Sequence, residues 1–182
     1  DINGVLFNKD QSTLIQYPLG NTATSYAIPN AVTSIGDVAF NGCSKLISID
    51  FSGTQVTTIG SNAFWGCSGL TSIDFSGTQV TTIGQYAFRD CSSLTSVTLP
   101  INVNFTTINS MTFYKCSSLT SITIPDSVET IGQSAFLHCT SLTSITIPDS
   151  VTTIDSYAFY NIGNPSTFYV KGNVQTIKTL VT

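Results

Sequence analysis

Apolar residues return along this chain at fixed offsets, and the set of offsets itself repeats. Val32-Thr-Ser-Ile-Gly opens one row, Val56-Thr-Thr-Ile-Gly and Val80-Thr-Thr-Ile-Gly open the next two, and Phe105, Val128 and Val151 start similar rows. Rows begin at 32, 56, 80, 105, 128 and 151, with a partial row from 174, so their lengths are 24, 24, 25, 23, 23 and 23. Ile35, Ile59, Ile83, Ile108, Ile131 and Ile154 make one column; Phe40, Phe64, Phe88, Phe113, Phe136 and Phe159 make another. Leu46, Leu70, Leu94, Leu119 and Leu142 follow, and then a pair of apolar positions two residues apart, as in Ile122 and Ile124. Stacked coils place like residues over like residues, so each column predicts an apolar ladder in one continuous core. A single row cannot bury its own face, so the array is expected to be cooperative.

The alternation at the end of Leu119-Thr-Ser-Ile-Thr-Ile predicts a short strand, and identical strands one coil apart must run parallel. Thr-rich, β-branched Val-Thr-Thr-Ile predicts a second narrow sheet. The Ala-Phe-x-x-Cys stretch between them has helical spacing but little length, which predicts one or two helical turns. Pro29, Pro100, Pro125 and Pro148 close the first type of strand. The fold expected is therefore a β-rich repeat solenoid of the leucine-rich-repeat type, with right-handed coils, a parallel β-sheet and short helical turns. Residues 1–21 break the period and read as a β-hairpin around Asn8-Lys-Asp-Gln-Ser, a plausible cap for an array over residues 22–182. The last row loses its Leu to Pro165 and its Cys to Ile162, and reads as a fading end or the start of a further module.

The row Ser-Val-x-Thr-Ile-Gly-x-x-Ala-Phe-x-x-Cys-x-x-Leu-Thr-Ser-Ile-x-Ile-Pro resembles the BspA-like leucine-rich repeats over nearly the whole chain. That resemblance implies a surface-exposed or secreted protein of bacteria or some protozoa, which binds host, matrix or other surface proteins. It implies no shared catalytic residues and no cofactor. Asp1 opens the chain without an initiator Met or a leader pattern, which reads as a mature protein or a fragment.

Composition narrows the function. Charged residues are 9% of the chain, and six Lys+Arg against ten Asp+Glu leave a net charge of −4. The broad basic surface needed for nucleic acid is therefore missing. One His leaves little for a His-based metal site or triad. No apolar run is long enough to span a membrane. Cys43, Cys67, Cys91, Cys116 and Cys139 share one column, and Ile162 stands in the sixth row. An apolar role for that column makes Ile a fair substitute and favours a ladder of buried thiols. Disulfides between rows would leave one Cys over, and no Cys-x-x-Cys suggests a metal. His138 beside Cys139 raises a nucleophile pair, but its column holds Gly42, Gly66, Asp90, Lys115 and Asn161 and reads as variable surface. Asp50 and Asp74, one coil apart, raise shared-carboxylate chemistry against two solvated residues on a polar sheet.

Two surfaces could recognise a partner. The strand positions Ser48/Asp50, Ser72/Asp74, Ser96/Thr98, Ser121/Thr123 and Ser144/Thr146 predict a flat, hydroxyl-rich face. In the five rows from 56 onward the position after the Phe carries Trp65, Arg89, Tyr114, Leu137 and Tyr160, with Tyr86 and Tyr157 nearby. Trp, Tyr and Arg are the residue types that dominate interface energetics, so this stripe is the candidate partner-binding site. Partial burial against the neighbouring turn is the other use for it. The expected function is a non-enzymatic protein-interaction or adhesion module of an extracellular or cell-surface protein. The alternatives are a structural spacer, or a glycan- or ice-binding surface built on Thr57/Thr58, Thr81/Thr82 and Thr106/Thr107.

Overall fold

The computed structural model describes residues 4–163, together with the backbone of two strands at 167–170 and 176–177. Short strands recur twice per row. On one side lie β1 (Leu6–Phe7), β2 (Thr13–Gln16), β4 (Ser34–Ile35), β6 (Thr58–Ile59), β8 (Thr82–Ile83), β10 (Thr107–Ile108), β12 (Thr130–Ile131), β14 (Thr153–Ile154) and β16 (Thr176–Ile177). On another lie β3 (Ser25–Ala27), β5 (Ser48–Asp50), β7 (Ser72–Asp74), β9 (Ser96–Thr98), β11 (Ser121–Thr123), β13 (Ser144–Ile147) and β15 (Thr167–Val170). Except for the β1–β2 hairpin, the pairings are parallel and join equivalent residues of successive rows, as in Ser72↔Ser96 and Thr130↔Thr153. The first series is interrupted between β8 and β10, where the row from 80 carries its extra residue.

The Phe column is a stack. Ring centroids from Phe40 to Phe159 are 5.0, 5.1, 5.5, 5.4 and 5.3 Å apart, with planes within 4–18° of parallel. All six rings are fully buried. Stacked pairs add about 0.5–1.5 kcal/mol beyond their buried area. The Ile, Leu, Val and Cys columns complete the core, and Ile162 packs against it in the place of a sixth Cys. Thr112, the exception in the Ala column, is buried because its hydroxyl donates to the Asn109 carbonyl at 2.7 Å.

The hairpin belongs to the same stack. β2 pairs in parallel with β4, Leu14 opposite Ile35, and Tyr17 lies 5.1 Å from Phe40 in a stacked pose. Tyr17 N–H donates to the Ala39 carbonyl at 2.7 Å, just as Phe40 N–H donates to Ala63 at 2.7 Å. The second hairpin strand is thus a shortened row, with Tyr17 as its ring.

The Ala-Phe-x-x-Cys segments differ from the one or two helical turns expected. Among the described residues there is no helix; these segments are consecutive turns. Two residues around each of these segments have left-handed φ. One column is Val38, Asn62, Tyr86, Met111, Ser134 and Tyr157; the other is Gly42, Gly66, Asp90, Lys115, His138 and Asn161. A left-handed residue on each side of Ala-Phe prevents a right-handed helix from propagating. The freed N–H groups turn outward to the next coil: Phe64 donates to the Ala87 carbonyl at 2.8 Å and Gly66 to Arg89 at 2.8 Å. Spacing alone could not show this, because period-3 apolar positions serve a chain of turns as well as a helix.

Candidate functional site

The stripe after the Phe column is held at its backbone. The carbonyls of Trp65, Arg89, Tyr114, Leu137 and Tyr160 accept N–H bonds from Gly42, Gly66, Asp90, Lys115 and His138, at 2.7–3.0 Å. Each donor is the left-handed residue of the preceding row. That conformation aims the N–H along the solenoid, and so sets one stripe residue above the next.

The side chains then join. The Arg89 guanidinium lies 4.8 Å from the Trp65 ring centroid and 5.0 Å from that of Tyr114, so it sits between the two rings. Asp90 Oδ2 fixes this arrangement, accepting from Trp65 Nε1 at 3.0 Å and from Arg89 Nε at 3.1 Å. Trp65, Arg89, Tyr114 and Leu137 are half-buried, and Tyr160 is exposed. Tyr114 meets the edge of His138 at 5.8 Å, and His138 meets Tyr160 at 6.4 Å. Asn161 Nδ2 and His138 Nδ1 lie 2.7 Å apart, and Tyr157 packs edge-on against Tyr160 at 5.8 Å. Lys115 Nζ lies 5.3 Å from the Tyr114 ring. The result is a ridge of contacting rings across five rows, with the Arg89 guanidinium between Trp65 and Tyr114 and Lys115 beside Tyr114.

Four of the five stripe residues thus belong to one contact chain, whereas Leu137 stands in the column while the contacts pass through His138. Asp90, Lys115, His138 and Asn161 were readable only as variable surface positions. Their common offset beside the stripe was the signal that could have placed them here. A shallow groove of about 400 Å³ runs along the ridge, lined by Asp90, Ser92, Lys115, Ser117, His138 and Thr140.

The other candidates are occupied structurally. Asp50 Oδ1 accepts from Ser52 N–H at 2.8 Å and Asp74 Oδ1 from Ser76 N–H at 2.7 Å, so each carboxylate closes its own corner turn. The bond from Ser52 holds the Asp50 carboxyl below the usual range. All five cysteines are free and buried. Four donate Sγ–H to a Phe carbonyl of the preceding row at 3.0–3.1 Å, beginning with Cys67 to Phe40. The Thr57 and Thr81 hydroxyls donate to the carbonyls of Thr33 and Thr57 at 3.3 Å, which uses those two donors of the Thr rows. Among the described residues no three His, Cys, Asp or Glu come together as metal ligands. No helix there is long and apolar enough to cross a membrane.

Parallel strands stacked in register, with Leu and Ile ladders running from coil to coil, define a leucine-rich-repeat solenoid. The chain belongs to the BspA-type leucine-rich repeat family, whose repeat region matches in six copies over residues 20–117 and 106–181. It is similar to a leucine-rich repeat protein of Eubacterium ventriosum, with 31% identity, 91% of this chain covered and a TM-score of 0.80. It is also similar to a leucine rich cell surface protein of Faecalibacterium prausnitzii, with 31% identity, 87% covered and a TM-score of 0.68. A leucine-rich repeat protein of Bacteroides ovatus is 29% identical over 87% of this chain, with a TM-score of 0.64. The chain spans 44%, 44% and 48% of the lengths of those three structures. A search of the curated proteins finds no match.

Proposed function

We propose that this chain is a non-enzymatic protein-interaction module of an extracellular or cell-surface protein, and that its partner is held on the ridge. The partner is a protein: a host or matrix protein, or another surface protein. The observation that carries this reading is the Trp65–Arg89–Tyr114–His138–Tyr160 contact chain. Its side chains are already fixed by one another and by Asp90, so docking orders little that is not ordered beforehand. Trp, Tyr and Arg supply the contact area that anchors interfaces, while the Ser/Thr strand face offers no such anchor. The cell-surface relative in Faecalibacterium supports the location. Repeats of this class are typically non-enzymatic, which supports the absence of a reaction. Within the module, residues 1–21 act as the cap and residues 22–182 as the array.

The test uses the purified chain against a panel of soluble matrix proteins by biolayer interferometry. With a saturable partner in hand, Trp65→Ala and Tyr114→Ala are each expected to cost about 2 kcal/mol or more, and Ser96→Ala and Thr123→Ala little. Larger losses from the strand pair would move the site to the strand face. The uniform ring stack also favours a spacer that projects other domains; a spacer shows no saturable partner.

A further inference from the structure

The corner that joins the two series of strands is polar in most rows: Ser52-Gly53-Thr54, Ser76-Gly77-Thr78, Pro125-Asp126-Ser127, Pro148-Asp149-Ser150. The row with the extra residue differs. Its corner carries Ile101 and Val103, 76% and 80% exposed, the two most exposed large apolar side chains among the described residues. β-branched residues favour strands rather than turns, so the turn does not require them. The loop is also tied down. Asn102 Nδ2 donates to the Gln79 carbonyl at 3.4 Å, and Asn102 accepts Asn104 N–H on its side chain at 2.9 Å and Phe105 N–H on its backbone at 2.9 Å. Ile101 and Val103 flank this tied residue, one on each side.

A groove of about 800 Å³ opens between these two side chains and the next corners, with Ile124 and Pro125 in its wall and Asp126 and Glu129 on its rim. Among the described residues no Lys or Arg lines it. The surrounding chain has the same bias: between Lys115 and Lys171 there are four carboxylates, Asp126, Glu129, Asp149 and Asp155, and no Lys or Arg. Apolar surface beside the Asp126 and Glu129 carboxylates fits an apolar side chain flanked by cations. We infer that this groove is a second docking site, which receives an extended, cationic segment of a partner protein with an apolar side chain seated between Ile101 and Val103. A strand series separates the corner from the ridge on either side along the coil, so this site stands whether or not the ridge binds.

Fluorescence anisotropy with a labelled hexapeptide of alternating Leu and Lys tests it, with Ser–Lys and Leu–Glu hexapeptides as controls. The Leu–Lys peptide is expected to bind saturably. Ile101→Ser/Val103→Ser should weaken it by about tenfold, the effect of uncovering two partly buried side chains. Asp126→Asn/Glu129→Gln should weaken it by about fivefold and flatten its salt dependence. Trp65→Ala/Tyr114→Ala should leave it unchanged. All four positions of the groove variants lie at the surface, and circular dichroism checks that the fold is kept. Equal binding of either control peptide, or equal affinity in both groove variants, would overturn the inference. So would a binding loss in the ridge variant, or a dimer of this chain that disappears in Ile101→Ser/Val103→Ser.

Discussion

Val38 has φ 54° and is 41% exposed. A β-branched residue in the left-handed region carries strain of about 1–2 kcal/mol, which Asn relieves because it tolerates that region. The equivalent place one row on is Asn62. Val38→Asn is therefore expected to stabilise the protein by about 0.5–1 kcal/mol in urea unfolding, and Asn62→Val to destabilise it by a similar amount. Gly42, Gly66 and Asn161 hinted at this backbone geometry in the sequence. Val38, Tyr86, Met111 and Lys115 hid it, because the neighbouring coils over-determine a conformation their own preferences oppose. Tyr17 offers a second single-residue test. Its ring extends the Phe stack, but its buried hydroxyl has no hydrogen-bond partner. Tyr17→Phe keeps the ring and removes a desolvated group, so it should gain about 1 kcal/mol.

At the scale of the element, ladders matter more than strands, since most strands are only two or three residues long. Phe88 is stacked on both sides, against Phe64 and Phe113. Phe88→Ala should cost about 3–5 kcal/mol, measured by chemical denaturation. The Cys column predicts a pH effect. Burial pushes Cys43 up to about 11 and Cys67 and Cys139 up to about 12, from an ordinary 9.0. Above pH 9 the unfolded chain loses these protons and the folded chain keeps them. Stability is therefore complete below pH 9 and falls as pH rises, by up to about 1.4 kcal/mol per pH unit for each thiol. Urea midpoints between about pH 9 and about pH 10.5 should drop more steeply for the natural chain than for Cys67→Ala/Cys139→Ala. Both sheets and each core column were legible because buried positions repeat without compromise. The turn segments were not, because their form is decided by hydrogen bonds to the next coil. For the same reason the stripe could be read from residue types, while its joining residues Asp90 and His138 could not.

On the scale of the molecule, the row is the unit of assembly and the hairpin is its first instance. Val5, Leu14 and Tyr17 are buried within the first 17 residues. Deleting residues 1–17 bares the face of Phe40 and Ile35, and should lower stability by at least about 3 kcal/mol, read as a lower unfolding midpoint. The register between rows has a further consequence. Residues 48–60 and 72–84 are the same thirteen letters, and β5 and β7 stand at equivalent places in neighbouring rows. A gene that recombines out of step between those two stretches loses or gains one row of 24 residues and keeps its reading frame. The new seam repeats a sequence junction the protein already has, and each apolar column still meets an apolar residue in the next coil. Length in such a lineage is then free to drift by whole coils, and the distance between the two ends becomes a heritable, countable trait.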